Sequence, residues 1–113
     1  MSHTEPTPSA VFDALALAPE AKDGAFPAAQ RLGTCNGVTL IVFRFAPGQH
    51  MTEHRAPHPI TVQVLTGAVD FTVGEHTAHL TAGTIQYVDE HLPHSLTSPE
   101  GAVMLLMLHT GAQ

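Results

Sequence analysis

The residues best equipped for chemistry in this chain are its histidines, nine in 113 residues. His50, His54 and His58 fall within Pro47–Pro59, and His91 and His94 within Asp89–His94. Neutral imidazole with oxygen co-ligands is the usual donor set for a divalent first-row metal. The same ring is also a hydrogen-bonding group for small molecules. Two His-bearing segments joined by a β-hairpin can fold back on one ion. His76 and His79 straddle a strand on opposite faces, because strand side chains alternate. With His109 at the end of the last strand and His3 in the N-terminal tail, they read as surface or sheet-face residues.

Other chemistries find less support. His50-Met51-Thr52-Glu53-His54 matches H-x-x-E-H, the inverted zinc-protease pattern. That pattern needs a helix to bring both histidines to one face. Here Pro47-Gly48 precedes it, Pro57 and Pro59 follow, and the neighbouring segments read as strands. Cys35, in Thr34-Cys35-Asn36-Gly37, has no cationic neighbour of the kind that activates a thiol, and reads as a packing or loop residue. Glu53 is set aside because its neighbour His54 takes the inward direction. There is no Gly-rich phosphate loop, no serine nucleophile elbow and no CxxC pair.

The elements that must position these side chains are short strands. Val38–Phe45 is rich in β-branched and aromatic residues and stops at Pro47-Gly48. Ile60–Leu65 follows, then Val69–Val73, a tight turn at Gly74-Glu75, and His76–Leu80. Ile85–Val88, Ser95–Thr97 and Val103–Leu108 complete the chain, the last apolar on both faces. Seven or eight short strands with turn signals between them predict an all-β antiparallel barrel or sandwich. Residues 1–24 read as a short, partly flexible N-terminal arm and residues 25–113 as the barrel domain.

Over residues 38 to 109 the chain resembles a small single-domain cupin. Gly48 to Gly67 is similar to the first cupin motif, with His54 at its first His position and Val64-Leu65-Thr66-Gly67 as the closing turn. Gly83 to His94 is similar to the second, with His94 at its histidine. The resemblance implies a jelly-roll barrel (double-stranded β-helix) and a mononuclear centre at its mouth. It also implies departures: the second His position is Ala56, the Glu position is Ile60, and His91 stands where a Gly is usual. The metal set is then His54, His94 and, as a substitute in the same loop, His58, with Gln63 and His91 as further candidates. Alternation puts Gln63 on the face opposite Val62 and Val64, so only a bulge would turn it inward. Val62, Val64 and Tyr87 are expected to line the cavity, with some of Met104–Met107.

Two functions follow from that set. The first is a cupin holding Fe, Mn, Ni, Zn or Cu, with a small organic substrate in the cavity and oxygenase- or isomerase-like chemistry. The second is a metal-free binding or sensing cupin with a degenerate metal site, motivated by Ala56 and Ile60. Composition excludes other classes. A formal charge of −6 with only four Lys and Arg argues against nucleic acid, and no apolar run is long enough to span a membrane. One cysteine suits a reducing compartment such as the cytoplasm. The doubly apolar last strand and the apolar arm residues Val11, Phe12, Leu15 and Leu17 predict a covered sheet face and a C2 homodimer.

Overall fold

The computed structural model describes residues 9–111; His3 and the rest of the first eight residues lie outside them. A short helix α1 (Ala14–Leu17) is followed by eight strands: β1 (Ala28–Cys35), β2 (Val38–Phe45), β3 (His50–His54), β4 (Ile60–Val73), β5 (His76–Thr81), β6 (Ile85–Val88), β7 (His94–Thr97) and β8 (Ala102–His109). All the strand pairings are antiparallel. The first sheet runs β1-β2-β8-β4-β6 and the second β3-β7-β4-β5, so β4 belongs to both. The sheets curl around one core that includes Phe43, Phe45, Val62, Val64, Phe71, Leu96 and Met104. This is the expected all-β barrel. Among the described residues, no helix is long and apolar enough to cross a membrane.

Local chemistry explains most of the connections. Asn36-Gly37 joins β1 to β2 with both residues at positive φ (40° and 92°), the requirement of a two-residue hairpin turn with the right twist. That hairpin recruits Ala28–Cys35, whose sequence carries no clear alternation, as an edge strand. In β2, Ile41, Phe43 and Phe45 face the core, while Val42 faces outward and is still fully buried. The N-terminal arm packs on the same sheet. The Phe12 ring lies so close over Gly33 that a methyl group there would meet it at 3.2 Å, and Arg44 Nε donates to the Pro19 carbonyl at 2.7 Å.

Two expectations need correction. Ile60–Leu65 and Val69–Val73 are not separate strands closed by a turn at Gly67, but one 14-residue strand. A register shift between Val64 and Thr66 and a positive φ at Gly67 bend it from one sheet into the other without ending it. The His50–His54 stretch, read as part of a loop, is also a strand. It pairs with β7 through His50↔Thr97, Met51↔Leu96 and His54↔His94.

Candidate functional site

That last register pair builds the site. His54 and His94 stand opposite each other on β3 and β7, with ring centroids 4.3 Å apart and the rings edge to face. His94 is 3% exposed, and its ring stacks on Phe71 at 5.6 Å with an 18° tilt. Burial pushes the His94 imidazole below its ordinary pKa and the nearby His54 adds to this, against an opposing hydrogen bond to the Leu92 carbonyl. His54 lies nearer the surface, at the rim.

The two rings are held in the same way. Nδ1 of His54 lies 2.7 Å from the Thr52 carbonyl oxygen, and Nδ1 of His94 lies 3.0 Å from that of Leu92, each two residues back along the chain. A carbonyl oxygen can only accept, so Nδ1 carries the proton in both rings. In the neutral ring, Nε2 is then a bare acceptor. Among the described residues no buried side-chain nitrogen or oxygen lacks a partner, so Nε2 of His94 opens onto the space beside it.

That space has two parts. A cavity of about 30 Å³ inside the barrel is lined by His54 and His94 with Phe43, Ile60, Val62 and Phe71 among others. Outside it lies an open groove of about 280 Å³, lined by Phe26, Pro27, Phe43, Met51, Thr52 and His54. Phe43, Met51 and His54 border both. One wall of the groove is Phe26-Pro27, just after the arm, and Gln49 fixes the segment that leads into it. The Gln49 side chain, 4% exposed, accepts from Ala46 N–H at 2.7 Å and donates Nε2 to the carbonyls of Lys22 and Gly24 at 2.7 and 3.1 Å. His50 N–H donates to the Ala25 carbonyl at 2.9 Å. Phe26 follows at once, with its ring 5.7 Å from that of His50.

The other expected site residues are placed elsewhere. His58 sits half-buried between its two prolines and lines neither space. His91 is exposed, in the left-handed region at φ 64°, and its N–H donates to the Ala56 carbonyl. Gln63 lies between the buried Val62 and Val64 and so points outward; the bulge of β4 comes after it and does not turn it in. Val62 lines the cavity, and Val64 is packed in the core behind it. Tyr87 corrects the expectation of an inward side chain. Val88 takes the inward direction, leaving Tyr87 54% exposed. Its hydroxyl donates to Asp89 at 2.9 Å, and that bond, with slight desolvation and the nearby negative charges, raises its pKa. Phe26, Met51, Phe71 and Gln49 were not singled out from the sequence. Only the Val69-Phe71-Val73 alternation hinted at one of them.

A mononuclear centre of the kind the resemblance implies takes three or more protein donors. Among the described residues, no three His, Cys, Asp or Glu come together to hold an ion. Among the described residues the site supplies two imidazoles and no third His, Cys, Asp or Glu, so they do not fit a mononuclear centre of that kind.

Comparison with known proteins agrees with this architecture. The cupin domain family matches residues 41–109. No curated protein matches the chain. Among solved structures, a cupin superfamily protein from Desulfitobacterium hafniense is similar at 19% identity, over 96% of this chain and 94% of that one, with a TM-score of 0.75. An RmlC-like cupin from Shewanella frigidimarina shares 24% identity over 81% and 84% of the two chains, with a TM-score of 0.73. KdgF from Halomonas sp. shares 17% over 80% and 88%, with a TM-score of 0.70. With the family matched across both sheets and both histidine-bearing strands, this chain belongs to the cupin family.

Proposed function

We propose that this cupin is a small-molecule binding module that needs no resident metal. The observation that carries this is the His54–His94 pair at the back of an apolar groove, with no third His, Cys, Asp or Glu beside it among the described residues. The ligand's apolar body lies along Phe26, Pro27, Phe43 and Met51, and its polar group meets the two imidazoles. Ile60, at the Glu position of the resemblance, is 5% exposed and lines the cavity; it offers packing where a metal centre takes an oxygen donor. No reaction step is assigned to these residues. Elemental analysis tests the reading, on untagged protein purified without chelator or nickel resin and then incubated with Fe(II), Mn, Ni, Zn and Cu in turn. Metal content far below one equivalent is expected throughout. Near-stoichiometric metal that disappears in both His54→Ala and His94→Ala would overturn it.

The working unit on this reading is a C2 homodimer in the cytoplasm. Outward rows cross the first sheet as Val42–Leu105–Gln63–Ile85 and Leu40–Met107–Thr61–Tyr87. The arm covers the β1–β2 side, while Ile85 and Tyr87 stay more than half exposed at the other edge. The arm's own Val11, Leu15 and Leu17 are exposed as well. A two-fold axis would set the sheet-edge patch of one protomer against the arm patch of its partner, and the reverse. Light scattering at micromolar concentration should give twice 12.0 kDa; a monomer mass would refute the pairing. Cys35, free and exposed, accords with a reducing compartment.

A further inference from the structure

We infer that the ligand of this site is a phenol, one flat ring carrying a neutral hydroxyl, which donates its one proton to the bare Nε2 of the buried His94 while the ring lies in the Phe26–Met51 groove beside His54. The inference rests on the binding-module reading and adds to it the chemical class of the ligand.

Three observations narrow the class. The first is hydrogen-bond polarity. Both imidazoles spend Nδ1–H on a backbone carbonyl, so in their neutral form they offer the ligand acceptors only. An ether oxygen, a ketone or a carboxylate would set acceptor against acceptor, whereas a hydroxyl donates. The second is charge. Among the described residues, no Asp, Glu, Lys or Arg lines either the groove or the cavity. An ammonium or a carboxylate there would leave water without an ion partner, which is costly. The donor is therefore neutral. The third is size. The inner cavity of about 30 Å³ exceeds the ~10–15 Å³ that one water needs, so it admits a hydroxyl and is too small for a ring, which must stay in the groove outside. The outer groove of about 280 Å³ is at the lower end of ligand pockets, roughly 300–1,000 Å³, which suits a single ring. Its walls of Phe26, Phe43 and the Met51 thioether favour an aromatic ring through edge, offset and sulfur contacts.

Histidine-labelled protein titrated with 4-methylphenol, 4-methylanisole and 4-methylbenzoate tests this, with the imidazole ¹⁵N resonances as the readout. Before any addition, His54 and His94 should both show the Nδ1–H tautomer. 4-Methylphenol should shift Nε2 of His94 and bind roughly two- to tenfold more tightly than its methyl ether, the effect of one net hydrogen bond. Because His94→Ala opens a hole against Phe71 and can cost folding, the second arm uses His94→Leu, which fills most of that space and offers no acceptor. It should narrow the phenol-to-ether ratio towards one. Equal binding of phenol and ether, a preference for the benzoate, or an Nε2–H tautomer at either ring would overturn the phenol assignment and leave the binding-module reading standing. Failure of all three compounds to perturb either histidine would also overturn the assignment. Stoichiometric metal in the elemental analysis would instead remove the binding-module reading beneath it.

Discussion

Replacing Gly67 with alanine should leave little folded protein. Gly67 sits where β4 passes from one sheet to the other, at φ 74°, paired with Ala102 of β8. A Cβ there would overlap the carbonyl oxygen of Gly101 and come within 2.9 Å of the Ala102 Cα. Both obstacles are backbone, and neither can swing aside as a side chain does. The left-handed conformation alone costs a non-glycine residue about 1–2 kcal/mol, and the overlap adds at least as much through displaced strands. A total above ~3 kcal/mol is a large share of the roughly 5–15 kcal/mol that holds a domain folded. Gly74→Ala is the natural control. Gly74 also has positive φ (61°), but a Cβ there meets nothing within 4 Å, so about 1 kcal/mol is expected. Urea unfolding of both variants reads the difference. Similar midpoints would show that the crossing is not the constraint described.

Phe71→Ala should be the most damaging substitution in the core. Phe71 is 1% exposed, lines the inner cavity and lies parallel to the His94 ring. Phe-to-Ala changes in cores cost about 3–5 kcal/mol, through lost transfer energy and the hole left behind. Phe71→Leu fills most of that hole and should cost closer to ~1.5 kcal/mol, so it is the variant in which the site can be read. Leucine offers no flat face to the imidazole, so His94 should lose orientation and 4-methylphenol should bind more weakly while the protein stays folded. Denaturant midpoints and the His94 resonances measure the two effects separately. A cost below ~1 kcal/mol for Phe71→Ala would mean that Phe71 does not fill the cavity wall.

The sequence carried the strand-rich fold well, because apolar alternation and turn residues are local signals. Val38–Phe45 and the final strand follow directly from them. The shared strand β4 was less legible. Leu65-Thr66-Gly67 reads as a turn in one dimension, and only pairing with β8 on one side and β5 and β7 on the other shows a bend instead. Of the site, His54 and His94 stood out because they are polar residues inside matching motifs. The absence of a third ligand beside them depends on where a proline-flanked loop directs His58, which no spacing encodes. His91 shows the opposite case. A histidine where glycine is usual looked like a candidate ligand, yet the position calls for the left-handed backbone at φ 64°, a conformational demand that glycine meets at no cost. Phe26 and Gln49 were invisible because their role arises from contacts between the arm and the barrel, some 25 residues apart in sequence.

The way Gln49 holds the arm has an evolutionary consequence. Every contact described at this clamp is with main chain: two carbonyls taken by one amide, and a third carbonyl, that of Ala25, by the His50 N–H. Main-chain recognition is indifferent to side-chain identity, so residues 22, 23 and 25 are free to drift while the segment keeps its place. Phe26, held at the end of this tether, is a wall of the groove that can be exchanged by a single codon change without disturbing core packing. Ligand preference in such a barrel can then diversify from outside the core, at a position where stability imposes little selection.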